Sequence, residues 1–334
     1  MTKILLTAHI LDQLLRPNSS HSVVTTVRSE EKAAPIRNAY KDRSDRLQVV
    51  VVGDISKEGA FDEVVKTPGL EVVMHTASPF HYKWTDPQKE LVDPAVIGTT
   101  SILKAIHRSA PTVKRVIVTS SFASVLDVAH LSNASHTFTE ASWNPNTIED
   151  LHESPITAYR VSKTLAERAA WDFVRQHSPT FDLATICPPV VLGPVLHHLA
   201  SLESINTSNE RIVALVSGKC KEGIPDTGLI TVWVDVRDTA LAHVRAMEVE
   251  EAGGKRHLTI GGRFKNRDIA DVAWKRFPDL KGLPDKTVKG GEAPSENENF
   301  KYNNDETTNR LGIKWRSLDD SVTDAIKSLR EHGI

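Results

Sequence analysis

Glycine is missing from the first 52 residues of this 334-residue chain; the first is Gly53. Any sharp backbone turn before that point must be made without the one residue that enters left-handed conformations freely. Cysteine is almost as scarce. Only Cys187 and Cys220 are present, too few for a disulfide framework and in keeping with a reducing cytoplasmic setting. No apolar run approaches the roughly 20 residues that span a bilayer. The opening MTKILLTAHILDQLL is apolar but short, carries Asp12 and has no clear cleavage site, so it is not read as a signal peptide. Neither sign of charge dominates: the formal net charge is -2, which gives no electrostatic reason to expect nucleic acid or an acidic membrane as partner. The 14 histidines fall into no metal-ligand spacing, and His197-His198 reads as a loop pair. Internal repeats are absent too.

What is present is a chain long enough to bury a full core, with short apolar runs alternating with helical patterns. Residues 3–7 (KILLT), 22–27 (SVVTTV), 47–52 (LQVVVV), 71–75 (EVVMH), 115–119 (RVIVT) and 182–187 (DLATIC) read as strands, with a later one at 256–260. Between them, helical spacing covers 8–16, 30–40 (interrupted by Pro35), 57–66, 93–109, 154–168 and 237–248. Continuous apolar strands alternating with helices predict an α/β fold, a doubly wound parallel sheet covered on both faces. Right-handed crossovers then put ligands at the carboxyl ends of the strands. Arg28, Asp54, Thr76, Ala77, Ser78, Pro79, Ser121 and Pro188 all stand just past strand ends. After Pro194 the rhythm breaks into loops and short helices, and the polar stretch 290–308 reads as a surface loop.

The stretch SPITAYRVSKTLAER at 154–168 organises the rest. Ala158, Val161, Leu165, Ala166 and Ala169 recur at helical spacing, and Ser154-Pro155 is a start signal. On that helix Tyr159 and Lys163 are i and i+4, so they share a face. A phenol beside a fixed ammonium has its anionic form favoured, and its pKa falls from about 10. That is the physics of a proton donor for a carbonyl; taken alone, the pair reads equally as two surface neighbours.

Ser121 past the fifth strand, Tyr159 and Lys163 on the next helix, and PPVVLGP at 188–194 come in a fixed order. With VVTTVRSEEKA (23–33), HTASPFH (75–81), TDPQKELVDPAVIGT (85–99), VTSSFASV (118–125), AYRVSKTLAE (158–167) and WVDVRDTALAHVRAME (233–248), this resembles the extended short-chain dehydrogenase/reductase superfamily. Within it the chain is similar to the fungal NADPH-dependent carbonyl reductases, a branch with methylglyoxal and aldehyde reductases that is related to dihydroflavonol reductases. The resemblance implies a Rossmann-like fold and NADPH-dependent reduction of an aldehyde, ketone or α-dicarbonyl to an alcohol. It implies Tyr159 as proton donor, Lys163 as the group that lowers its pKa and holds the nicotinamide ribose, and Ser121 as the holder of the carbonyl oxygen. Ser120 is the alternative, and the spacing to Tyr159 favours Ser121.

By the same resemblance Pro188 and Val190 lie against the nicotinamide, Asp54 and Ile55 bracket the adenine, and Thr76, Ala77 and Ser78 touch the cofactor. Phe80, His81 and Phe122 are candidates for the substrate pocket, each of which can equally be packing. Past the second strand, an acid would grip the ribose 2′-OH of NAD, whereas Arg suits the 2′-phosphate of NADP. Here stand Arg28 and Lys32 instead, which otherwise read as a solvated basic turn. The implied organisation is a dinucleotide-binding domain over 1–193, with 231–262 returning to it, and a substrate-covering lobe from 194–230 and 263–334.

One departure is plain. The family places a glycine-rich turn between the first strand and helix, and KILLT runs directly into AHILDQLL; about seven residues of that turn and of the first helical turn are absent by comparison with the family pattern. Glycines let the backbone approach the pyrophosphate at the helix N-terminus, so impaired cofactor binding is expected. Two other readings stay open: a catalytically silent member acting as a binding or scaffold protein, and an NAD-dependent nucleotide-sugar epimerase or dehydratase, against which Arg28 argues.

Overall fold

Strands buried on both faces need apolar side chains at every position, and this requirement selects the central elements of the computed structural model. It describes residues 3–6, 9–78, 84–195 and 205–333. The first half of the chain forms β1 (Lys3–Leu6), α1 (Ile10–Leu14), β2 (Ser22–Val27), α2 (Glu30–Ala39), β3 (Leu47–Val51), β4 (Leu70–His75), α3 (Asp93–Ser109), β5 (Arg115–Thr119), β6 (Thr137–Phe138) and α4 (Pro155–His177). There follow β7 (Asp182–Cys187), β8 (Val190–Leu192), α5 (Glu210–Val216), β9 (Val232–Asp235), α6 (Val236–Glu248) and β10 (Lys255–Leu258). The chain ends with β11 (Gly262–Arg263), α7 (Asn266–Arg276), β12 (Lys301–Tyr302), α8 (Asp305–Leu311) and α9 (Leu318–Glu331).

Seven strands pair in the order β10-β7-β5-β4-β1-β2-β3, every pair parallel. Successive side chains point to opposite faces, and the core divides accordingly. Val23, Val72, Met74 and Ile117 join α1 and α6 on one face, whereas Val24, Val73, Val116 and Val118 join α3 and α4 on the other. This is the doubly wound, Rossmann-like sheet expected from the alternation. A second sheet of β11-β9-β8 packs against α5, α7 and α9 through Leu192, Ile212, Trp233, Ile269 and Ile326.

Three elements differ from the reading of the sequence. Residues 57–66 are turns ending in a 3₁₀ segment, Val64–Lys66, because Gly59 takes φ +78°, which an α-helix cannot accommodate. α2 runs through Pro35, which is exposed, so the carbonyl left unbonded one turn earlier meets water. α4 continues nine residues past Arg168, to His177. It starts where Ser154 Oγ accepts the Thr157 amide at 3.1 Å and stops at Ser178, with φ +43°.

Candidate active site

β5 delivers two serines to the carboxyl edge of the sheet, and their environments separate them. Ser120 is buried, and its Oγ donates to Glu167 Oε2 at 2.6 Å. Ser121 is half-buried and begins a 3₁₀ turn, Phe122–Ser124, its Oγ accepting the Ala123 amide at 3.1 Å. α4 crosses behind this turn. Tyr159 Oη donates to Ser121 Oγ at 3.4 Å, a long contact of the kind that tightens on substrate binding.

One turn further along α4, Lys163 is 8% exposed and its Nζ donates to the Thr119 carbonyl at 3.1 Å. Burial disfavours its charged form and brings the ammonium down to about 8, against the opposing pull of Glu167. Thr119 is itself held, its Oγ1 2.7 Å from His243 Nε2. Because His243 Nδ1 lies 2.7 Å from the Thr239 carbonyl, Nδ1 carries the proton and Nε2 accepts. Burial pushes His243 down to about 4, so it stays neutral.

Around this set the strand ends carry the other residues singled out by the sequence. Arg28 and Lys32 are exposed at the end of β2 and the start of α2, and the nearby Glu30 is taken by Arg37. Asp54 is exposed and accepts the Ser56 amide at 2.9 Å and hydroxyl at 2.5 Å, which hold its carboxyl below the usual range. Ile55 packs at Gly98 of α3, where an added Cβ would lie 3.4 Å from the Ile55 carbonyl oxygen. Thr76 and Ala77 are half-buried and Ser78 is exposed, directly past β4. Pro188 is buried, its carbonyl accepting the Phe122 amide at 2.8 Å, and Val190 is half-buried at the start of β8.

Of the two readings of Phe122, pocket or packing, its surroundings favour packing: the ring is 2% exposed and meets Phe138 and Phe300 at centroid distances of 5.8 Å each, within an apolar cluster beneath the site. Phe300 reaches that cluster from within the stretch 290–308 read as surface loop. Pro79, Phe80 and His81, the Thr7-Ala8 junction and His197-His198 lie outside the described residues.

The sequence reading missed Glu167 and Arg256. Glu167 is 1% exposed and accepts Arg256 Nε at 2.8 Å. A charge at i+4 from Lys163, on the stripe facing the sheet, was a visible signal of a buried pair.

The donor set fits a phosphorylated dinucleotide. Two exposed cations stand past the end of β2, polar and small residues line the ends of β3 and β4, and a buried ammonium and a half-buried phenol stand at the end of β5. Histidine, cysteine and carboxylate clusters able to hold a metal do not occur among the described residues.

Known proteins agree with this architecture. The ketoreductase azaE of Aspergillus niger is 38% identical over 332 residues, covering 97% of this chain and 94% of that protein. The NADPH-dependent methylglyoxal reductase GRE2 of Saccharomyces cerevisiae is 36% identical over 96% of this chain and 94% of its own length. Among solved structures, Gre2 of Candida albicans in complex with NADPH superposes with a TM-score of 0.91 at 32% identity, covering both chains completely. The pattern described as the NAD dependent epimerase/dehydratase family matches residues 5–261, and the chain belongs to that family.

Proposed function

We propose that this protein reduces a small aldehyde, ketone or α-dicarbonyl to the alcohol with NADPH, in the cytoplasm. The observation that carries the reading is the meeting of Ser121, Tyr159 and Lys163 at the carboxyl end of β5. The ketoreductase relative and the NADPH-dependent methylglyoxal reductase relative support the substrate class. The two free cysteines suit a reducing compartment.

In this reading NADPH, when bound, supplies the hydride. Tyr159 gives its proton to the carbonyl oxygen, and the resulting phenolate is stabilised by the Lys163 ammonium. Ser121 donates its hydroxyl proton in a hydrogen bond to the same oxygen and orients the carbonyl. Arg28 and Lys32 hold the 2′-phosphate; Asp54 and Ile55 bracket the adenine. Thr76, Ala77 and Ser78 line the cofactor between them and the site, with Pro188 and Val190 against the nicotinamide. Residues 194–230 and 263–334 form the lobe that covers substrate, and 1–193 with 231–262 the dinucleotide-binding domain.

The test is NADPH oxidation at millimolar cofactor against a panel of aldehydes, ketones and α-dicarbonyls, beside NAD-dependent epimerisation of UDP-sugars. Oxidation of NADPH with at least one carbonyl is expected; epimerisation alone would contradict the proposal.

A further inference from the structure

α4 carries Tyr159, Lys163 and Glu167 at successive i, i+4 positions, on one face of the helix. The first two serve the reading above; the third is a carboxylate withdrawn from water. A buried charge must be paired and hydrogen-bonded to persist, and Glu167 is. Its Oε1 accepts Arg256 Nε at 2.8 Å, Thr185 Oγ1 at 2.8 Å and Trp171 Nε1 at 3.3 Å. Its Oε2 accepts Ser120 Oγ at 2.6 Å and Ser124 Oγ at 2.5 Å. Burial alone would raise this carboxyl, and Arg256 with the two serines more than offsets it, holding Glu167 below the usual carboxylate range. Arg256 is anchored in turn, by the Glu140 carbonyl at 3.0 Å, by the Ser142 carbonyl, and by the Trp143 ring 3.7 Å beneath its guanidinium.

Two of these partners bracket Ser121. Ser120 precedes it, and Ser124 closes its turn, with the Ser124 hydroxyl also 2.7 Å from the Ser121 carbonyl oxygen. The carboxylate therefore grips the turn on both sides of the residue whose hydroxyl meets Tyr159. A second link is electrostatic. Among the described residues, the titratable groups facing Lys163 are Tyr159 and Glu167 on its own helix, Cys187 at the end of β7 and His75 at the end of β4. Burial pushes the Cys187 thiol up to about 12 and His75 down to about 4, so both are neutral. Glu167 is the anion that favours the Lys163 cation.

Resting on that catalytic reading, we infer that Glu167 is a positioning residue: it fixes the Ser121 turn through Ser120 and Ser124, and it sustains the charge of Lys163 one turn away. Arg256 makes this possible by keeping the carboxylate ionised in the interior.

Two readouts need no turnover. The first is the titration of Lys163 in the protein labelled with lysine ¹³Cε, followed by NMR; the second is hydrogen exchange of the Ala123 amide. Glu167→Gln is expected to lower the Lys163 midpoint by about one pH unit. The double variant Ser120→Ala, Ser124→Ala is expected to speed Ala123 exchange by roughly ten-fold while leaving Glu167 its bonds to Arg256 and Thr185. Each variant should also lose about ten-fold in kcat, with KM for NADPH within about two-fold of wild type. An unchanged midpoint or an unchanged exchange rate overturns the inference. Should Glu167→Gln fail to fold, the double serine variant decides alone, and wild-type exchange with wild-type kcat overturns it. Full activity in Tyr159→Phe is a different failure, that of the catalytic reading, and the two NMR readouts are independent of it.

Discussion

Taking an ammonium out of water penalises its charged form, and Lys163 carries that penalty on the buried face of α4, where it falls from 10.5 to about 8. The sign follows from linkage. Between about pH 8 and 10.5 the unfolded chain holds this proton and the folded chain does not, so the contribution of Lys163 to stability rises with pH across that window. On the proposed mechanism activity moves the opposite way, because stabilising the tyrosinate needs the cation. The profile of kcat/KM for NADPH, which reports the free enzyme, should fall above about pH 8; a flat profile between pH 7 and 10 would remove Lys163 from that role. Arg28 and Lys32 bear on cofactor choice instead. Replacing both with alanine should weaken NADPH by roughly 10- to 100-fold, the value of charge-assisted hydrogen bonds, while NADH binding changes little. Equal losses for the two cofactors, measured by fluorescence titration, would contradict the assignment of these residues to the 2′-phosphate.

At the scale of elements, the junction of β1 and α1 sets the expected weakness of this chain. α1 has five residues, and the position before it, His9, is already helical and offers no side-chain cap. His9 Nε2 lies 3.2 Å from the Pro194 carbonyl oxygen. With no glycine before Gly53, close approach of backbone to a pyrophosphate is costly there. NADPH is therefore expected to bind only weakly, and a seven-residue glycine-rich insertion between Thr7 and Ala8, matching the turn missing from the family pattern, should tighten it by roughly ten-fold or more. Micromolar affinity without the insertion would contradict this account of the junction. The strands were legible because burial on both faces demands largely apolar runs, as in RVIVT of β5 and DLATIC of β7. The loss of a helix at 57–66 was not, since a sequence does not state the sign of φ at Gly59.

Over the whole molecule, what could be read in advance was local, and what could not was brought together by distant chain. The spacing of Tyr159 and Lys163 sits within one helix, and Ser121 follows a recognisable strand, so those three were legible together. Phe122 was ambiguous until Phe138 and Phe300 closed on it. Glu167 stood on the sheet-facing stripe of α4, but its partner could not be read locally, since Arg256 arrives from 89 residues away on β10. The sheet thus holds a local reacting set in a frame built by long-range contacts. The claim that most depends on this frame is that Tyr159 donates the proton to a carbonyl. Turnover of wild type and Tyr159→Phe at millimolar NADPH, with a carbonyl the wild type reduces, tests it directly. A loss of about 10² to 10⁴ in kcat with unchanged NADPH affinity is the predicted result; wild-type turnover in the Phe variant would contradict it.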